Sequence, residues 1–345
     1  MNDEVPADVA GAPTLPFQRI LITGAYGFVG RHLVPALART LQAGARLVLA
    51  GRSGETSFRH GHASILLDLE DMASITHAIR SVRPDLVVHL AGQASVGRSA
   101  NAAAVTWSVN VCGTLALARA MAELVPDCAM LFASSVEVYG LTFNEGIASE
   151  TSPLRPQSSY ARSKAAAEAM LADVLPPTAP LIVARPGNHS GPGQDEAFVI
   201  PAFAAQIARI EAGVSTQLHV GNLDAERDFL DVRDVVDAYL ALLMQATRLP
   251  ARTTFNIASG HPVRVGEVLH RLCALSTTDI AIRQDPKRMR PSEVLRATVT
   301  PSAIHHAVGW TPRHSLDDML ASVLADQRIR LRGTRPGSPP NPPAG

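Results

Sequence analysis

A short apolar stretch, Arg19-Ile20-Leu21-Ile22-Thr23, runs directly into Gly24-Ala25-Tyr26-Gly27-Phe28-Val29-Gly30 and then into an apolar-periodic helix expected to end near Gly44. Few arrangements accommodate a strand, a Gly-x-x-Gly-x-x-Gly turn and a helix in immediate succession. Small residues let the backbone turn tightly, and they let a pyrophosphate approach the helix N-terminus, where free N–H groups and the helix dipole favour an anion. The alternative is a tight strand–helix turn with no ligand. The turn makes Gly24, Gly27, Phe28, Val29 and Gly30 candidate cofactor contacts.

The rest of the chain keeps the rhythm this turn begins. Apolar runs at Arg46–Ala50, Ser64–Leu67, Leu86–Leu90, Ala129–Ala133 and Leu181–Ala184 read as strands. Helical patterns at 71–82, about 102–124 and from Ser158 onward lie between them. Strands alternating with helices give an α/β fold, a Rossmann-type doubly wound parallel sheet covered on both faces. Ligands on such sheets bind beyond the carboxyl ends of the strands. After about residue 185 the rhythm loosens. Helices are expected at about 198–212, 233–246, 265–275 and 315–330, with short strands at 218–220, 228–232 and 254–258 and an irregular basic stretch from Pro286 to Val294. The expected organisation is a dinucleotide-binding unit over 17–184 and a smaller lobe over 185–331 from which the chain returns to the first unit. Residues 1–16 and 332–345, the latter rich in Pro and Gly, read as tails.

Composition narrows the class of function. The 345-residue chain has 46% hydrophobic residues and no net charge, enough for a sizeable core and no bulk field toward nucleic acid or anionic membrane. The three cysteines, Cys112, Cys128 and Cys273, fit no zinc spacing and read as buried, reduced thiols. His60, His62, His305 and His306 have no carboxylate or thiol partners at ligand spacing, so no metal is expected. No secretory signal or membrane-spanning run is visible, and a cytoplasmic protein is expected.

The chemistry concentrates in Ser158-Ser159-Tyr160-Ala161-Arg162-Ser163-Lys164. A serine caps a helix whose first turns place Tyr160 and Lys164 four residues apart, on one face. An ammonium beside a phenol is expected to lower the phenol's pKa and make a general acid/base for an alcohol or carbonyl. Ser135, at a strand end, can hold the same substrate oxygen. Glu137, two residues on, is a candidate base or hydroxyl ligand. The second strand ends in Gly51-Arg52-Ser53 with no acid, so Arg52 favours a ribose 2′-phosphate; NADP(H) is preferred and NAD(H) possible. Asp68 suits an adenine amino group or a turn, and Leu69 follows it. Leu90, Ala91 and Gly92 put small residues where a flat cofactor can lie. Asn110 is either a satisfied core amide or a brace for Lys164. Arg185, just after the sixth strand, is a further candidate cofactor contact.

In this order, the glycine run, Asn110, Ser135 and Tyr160-x-x-x-Lys164 resemble the extended short-chain dehydrogenases/reductases, the nucleotide-sugar branch, over about residues 18–330. Within it, Arg185-Pro186-Gly187-Asn188-His189-Ser190-Gly191-Pro192-Gly193-Gln194, the stretch Val220–Asp234 and Met289–Val294 are similar to GDP-6-deoxy-4-keto-D-mannose reductases. Gly187 stands where those proteins have Phe. The resemblance implies NAD(P)H-dependent reduction of the C4 ketone of GDP-4-keto-6-deoxy-D-mannose to GDP-D-rhamnose. It further implies a homodimer formed through the helices at 102–124 and 158–174. It assigns substrate contacts to Asn188, Val199, Arg227, Arg290 and Glu293, the arginines suiting diphosphate oxygens and the glutamate a ribose. Competing readings are a GDP-mannose 4,6-dehydratase, in which Glu137 would act as an acid/base, a nucleotide-sugar epimerase, and a non-catalytic NADP-binding sensor.

Overall fold

The computed structural model describes residues 14–52, 62–94, 102–289 and 294–333. Seven strands form one parallel sheet: β1 (Arg19–Thr23), β2 (Arg46–Gly51), β3 (Ala63–Leu66), β4 (Leu86–His89), β5 (Ala129–Ala133), β6 (Leu181–Pro186) and β11 (Arg252–Ile257). Their order is β11-β6-β5-β4-β1-β2-β3. From β1 the chain moves outward through β2 and β3, then crosses back to β4 and proceeds the other way. The topological switch therefore falls between β1 and β4, which pair from Ile20 with Leu86 to Thr23 with His89. A ligand crevice opens at such a point.

Period-two side-chain alternation explains the two covered faces. Ile20, Ile22, Leu86 and Val88 point into one core, with α1 (Phe28–Ala38) and Trp310. Leu21, Val87, Met130 and Phe132 point into the other, with α2 (Met72–Val82). The long helix expected over 102–124 is three consecutive pieces: α3 (Ala103–Trp107), a π-helical turn (Ser108–Gly113) and α4 (Thr114–Leu124). Next on the same face comes α5 (Ser159–Val174), which carries Tyr160 and Lys164.

Two expectations need correction. Helix α1 stops at Ala38, not near Gly44, because Thr40 turns back and donates both its N–H and its hydroxyl to the Leu37 carbonyl. Cys112 is exposed, since it sits on the outer side of the π turn; Cys128 is buried and Cys273 half-buried.

The C-terminal half of the chain alternates between this sheet and a second core. Strands β7 (Asn188–Ser190) and β10 (Phe229–Asp231) pair in parallel, as do β8 (Gln217–Val220) and β13 (Ala281–Gln284). Strand β9 (Glu226–Arg227) lies between β12 (Val263–Arg264) and β14 (Arg296–Ala297). Helices α6 (Val199–Glu211), α8 (Val265–Ala274) and α10 (Leu316–Gly333) surround the second core, which includes Phe203, Leu269 and Leu320. Helix α7 (Val232–Met244) instead packs beside α1, and α9 (Ser302–Val308) adds Ile304 to that same cluster. Among the described residues no helix is long and apolar enough to cross a membrane.

Candidate active site

The strand–glycine–helix turn forms as its spacing predicts. Gly24 has φ +69°, and a Cβ there would sit 2.7 Å from the Ala91 nitrogen, so the β1 turn presses against the one after β4. A Cβ on Gly30 would come within 2.3 Å of the Ala25 carbonyl. Helix α1 starts without a side-chain cap and without an acid in its first turn, which leaves its N–H groups and dipole to an anion. The end of β4 is fixed by a buried node with no local signal in the sequence. Thr23 Oγ1 lies 2.6 Å from His89 Nδ1, and His89 Nε2 lies 3.0 Å from Thr114 Oγ1. Burial, aided by the Lys164 charge, pushes His89 down to about 3, so the ring is neutral. Thr23 Oγ1 also accepts the Ala91 N–H at 3.3 Å.

These features fit a dinucleotide. Gly24, Gly27, Phe28, Val29 and Gly30 would hold its pyrophosphate, and Leu90, Ala91 and Gly92 would lie against its flat portion. Arg52 is exposed just past the end of β2; Ser53 and His60 lie outside the described residues. Leu69 is buried in the core beneath. The Asp68 carboxylate accepts from the Glu70 N–H at 3.0 Å, the turn role among its two expectations. The π turn brings Asn110 inward, where it accepts from Gln93 N at 2.8 Å and donates to Ser163 Oγ at 2.9 Å. It is thus a satisfied core amide rather than a direct partner of Lys164.

Helix α5 begins where Ser158 accepts from the Ala161 N–H at 3.1 Å. Tyr160 and Lys164 share its buried face. The Ser135 hydroxyl faces the Tyr160 phenol. Lys164 Nζ donates to the Ala133 carbonyl at 2.7 Å and sits 4.8 Å from the centre of the Phe132 ring. The expected lowering of the phenol is not what this geometry gives. Burial pushes Tyr160 up to about 12; the Ser135 hydroxyl opposes this and the Glu137 charge adds to it. Burial also pulls Lys164 down to about 8, against the pull of the Glu168 carboxylate. Glu137 is itself raised by burial, with Arg227 acting the other way. Arg227, on β9, donates to the carbonyls of Glu226 at 2.8 Å and Val294 at 3.2 Å, and its charge is felt at Glu137.

Arg185 requires a correction. Its guanidinium is buried and forked onto Glu168, at 3.0 and 2.5 Å, and donates to Tyr139 Oη at 2.9 Å. It braces the interior and is not aimed at a cofactor. Glu168 and Tyr139 escaped the sequence reading, although Glu168 lies one further helical step of four from Lys164. Asn188 sits on β7, and Val199 opens α6. Arg290 and Glu293 lie outside the described residues. The β7 segment is tied to the glycine turn by the His189 ring, stacked on Phe28 with centroids 6.0 Å apart. Among the described residues there is no group of His, Cys, Asp or Glu side chains able to hold a metal.

Chemistry of this kind places the protein among the nicotinamide-dependent oxidoreductases that act at an alcohol or carbonyl. A model of the GDP-mannose 4,6 dehydratase family matches residues 21–323. GDP-6-deoxy-D-mannose reductase of Pseudomonas aeruginosa is 35% identical over 319 residues, 91% of this chain and 99% of the relative. GDP-mannose 4,6-dehydratase of Vibrio cholerae is 28% identical over 79% of this chain and 81% of its own. The solved structure of RMD from Pseudomonas aeruginosa complexed with NADPH superposes with a TM-score of 0.76 at 33% identity, covering 90% of this chain and 99% of that one. The chain belongs to the GDP-mannose 4,6 dehydratase family.

Proposed function

We propose that this enzyme reduces the C4 ketone of GDP-4-keto-6-deoxy-D-mannose with NADPH, giving GDP-D-rhamnose. The observation that carries this reading is the proton inventory where β5 ends and α5 begins. Tyr160 is a neutral phenol facing Ser135, and Glu137, half-buried nearby, is shifted toward its neutral form. A site stocked with protons suits the end of a reduction, where an alkoxide must be protonated. The 35% identical relative bears a reductase name, which supports the same direction.

NADPH supplies the hydride when bound. Ser135 orients the ketone oxygen and Tyr160 Oη holds the proton destined for it. Lys164, fixed on the Ala133 carbonyl, places positive charge behind the phenol and favours its phenolate after the proton has left. Arg52, in place of an acid at the end of β2, supports NADPH over NADH. Asn188 and Arg227 are assigned to the diphosphate, whose binding holds the small reacting centre in place. The exposed Val105 and Trp107 on α3 support a homodimer through that face, and a cytoplasmic location belongs to the same proposal.

The second reading, a GDP-mannose 4,6-dehydratase, is favoured by one observation: Glu137 lies beside Tyr160, where a second acid/base would act. The two separate on stoichiometry. With GDP-4-keto-6-deoxymannose, the reductase consumes one NADPH per sugar; with GDP-mannose alone, it makes no 4-keto product. Formation of that product from GDP-mannose without net NADPH loss would reverse the assignment.

A further inference from the structure

Helix α5 meets the end of β5 at three points, four residues apart along the helix. Tyr160 faces Ser135, Lys164 donates to the Ala133 carbonyl, and Glu168 accepts from the Ser134 hydroxyl. Three consecutive residues at the strand end are thus held by three consecutive turns of one helix face. The first two contacts are the acid/base pair. The third is a buried carboxylate that the mechanism above does not use.

Glu168 is itself immobilised. The Arg185 fork from β6 takes both of its oxygens, and the same guanidinium donates to Tyr139 Oη. Tyr139 in turn donates to Asn256 Oδ1 at 2.7 Å, on edge strand β11. A rigid polar chain therefore crosses the interior from the sheet edge to the strand end that seats Lys164 and Ser135. Resting on the reductase reading above, we infer that Glu168 is a positioning residue: it fixes the Ala133–Ser135 strand end and supplies the negative charge that keeps the Lys164 ammonium in place.

The charged and titratable groups around Lys164 are few. His89 faces it from β4 and is neutral; Tyr160 and Glu168 share its helix; Glu137 follows β5; Arg185 on β6 is paired with Glu168. Of these, Glu168 is the one that favours the charged amine, opposing the burial that brings Lys164 to about 8. Without that carboxylate, Lys164 loses its proton at a lower pH, and the phenol loses its cationic neighbour inside the working range.

The chain has two lysines, Lys164 and Lys287. Full-length protein labelled with 13C at lysine Cε therefore reports Lys164 directly by NMR, with Lys287 as an internal control. In Glu168→Gln the Lys164 midpoint should fall by about one pH unit or more while that of Lys287 stays. NADPH oxidation with GDP-4-keto-6-deoxymannose should fall about tenfold at pH 8, with a smaller deficit at pH 6.5. Glu168→Asp, which keeps the charge, should recover most of the loss. Glu168→Gln strands the Arg185 charge, so Ser134→Ala is measured beside it. That variant keeps both buried charges, removes only the brace, and should lower kcat with Tm nearly unchanged. A Lys164 midpoint unmoved in Glu168→Gln, or a pH-independent loss that Glu168→Asp does not relieve, would overturn the inference. If Glu168→Gln does not fold, a Ser134→Ala enzyme with full kcat overturns it instead. A wild-type enzyme inactive on the 4-keto sugar would sink the reductase reading alone, since the lysine titration is read without substrate.

Discussion

The two halves of the chain position side chains by different means. In the first, long parallel strands with fixed register deliver residues to one edge, so Thr23, His89 and Ser134 arrive together through sheet geometry alone. In the second, strands of two to four residues and loops carry Arg227, Asn188 and Gly187, and carbonyl contacts hold them. The first half is built for chemistry that tolerates no displacement. The second is built for binding, where contacts are spread out and individually replaceable.

That contrast predicts kcat effects from the first half and KM effects from the second. The largest belongs to Tyr160→Phe: kcat for NADPH oxidation by the 4-keto sugar should fall about 10³-fold with Tm unchanged. Full turnover in that variant would show that Tyr160 is not the proton donor. Next is Lys164→Met, with a loss of about 10²-fold. The same variant should be more stable at neutral pH. Folded Lys164 titrates near 8 against 10.5 for the free amine, so between those values the unfolded chain binds the extra proton. Stability from this group is then lowest below pH 8 and rises toward pH 10.5. Removing the amine should gain about 3 kcal/mol at pH 7 in a urea melt, and the gain should vanish toward pH 10.5. In the wild type, kcat/KM should decline above about pH 8 as Lys164 loses its proton.

Changes in the second half should act more gently. Arg227→Ala should raise KM for the GDP-sugar about tenfold, near 1.4 kcal/mol, with kcat altered far less. A large kcat loss there would show that Arg227 acts through Glu137 and would blur the division between the halves. Smallest is Gly187→Ala. The nearest atom to an added Cβ is the Asp228 carbonyl at 3.4 Å, an ordinary contact, so kcat/KM and stability should both stay within about 0.5 kcal/mol.

The same contrast decided what could be read in advance. Strand–Gly–helix and Tyr160-x-x-x-Lys164 are local signals, and the fold and catalytic helix were legible from them. The buried network was not, because it joins Glu168, Arg185, Tyr139 and Asn256 across strands that only the folded sheet brings together. Arg185 departs from its expected role for that reason: its place beside a strand end is visible in the sequence, but its partner 17 residues earlier on α5 is not. Tyr160's raised pKa was missed because spacing shows Lys164 on the same face but not how deeply the phenol is buried. The short strands β7, β9, β12 and β14 carry too few residues for a period-two pattern to show.

The destination of the hydride separates the reductase from the dehydratase. Incubating the enzyme with NADPH deuterated at nicotinamide C4 on the transferred face, and freshly generated GDP-4-keto-6-deoxymannose, tests this by NMR of the product. Deuterium at C4 of GDP-D-rhamnose, one per NADPH oxidised, is the predicted result. A sugar free of deuterium, together with conversion of GDP-mannose to the 4-keto compound by the same enzyme, would contradict it.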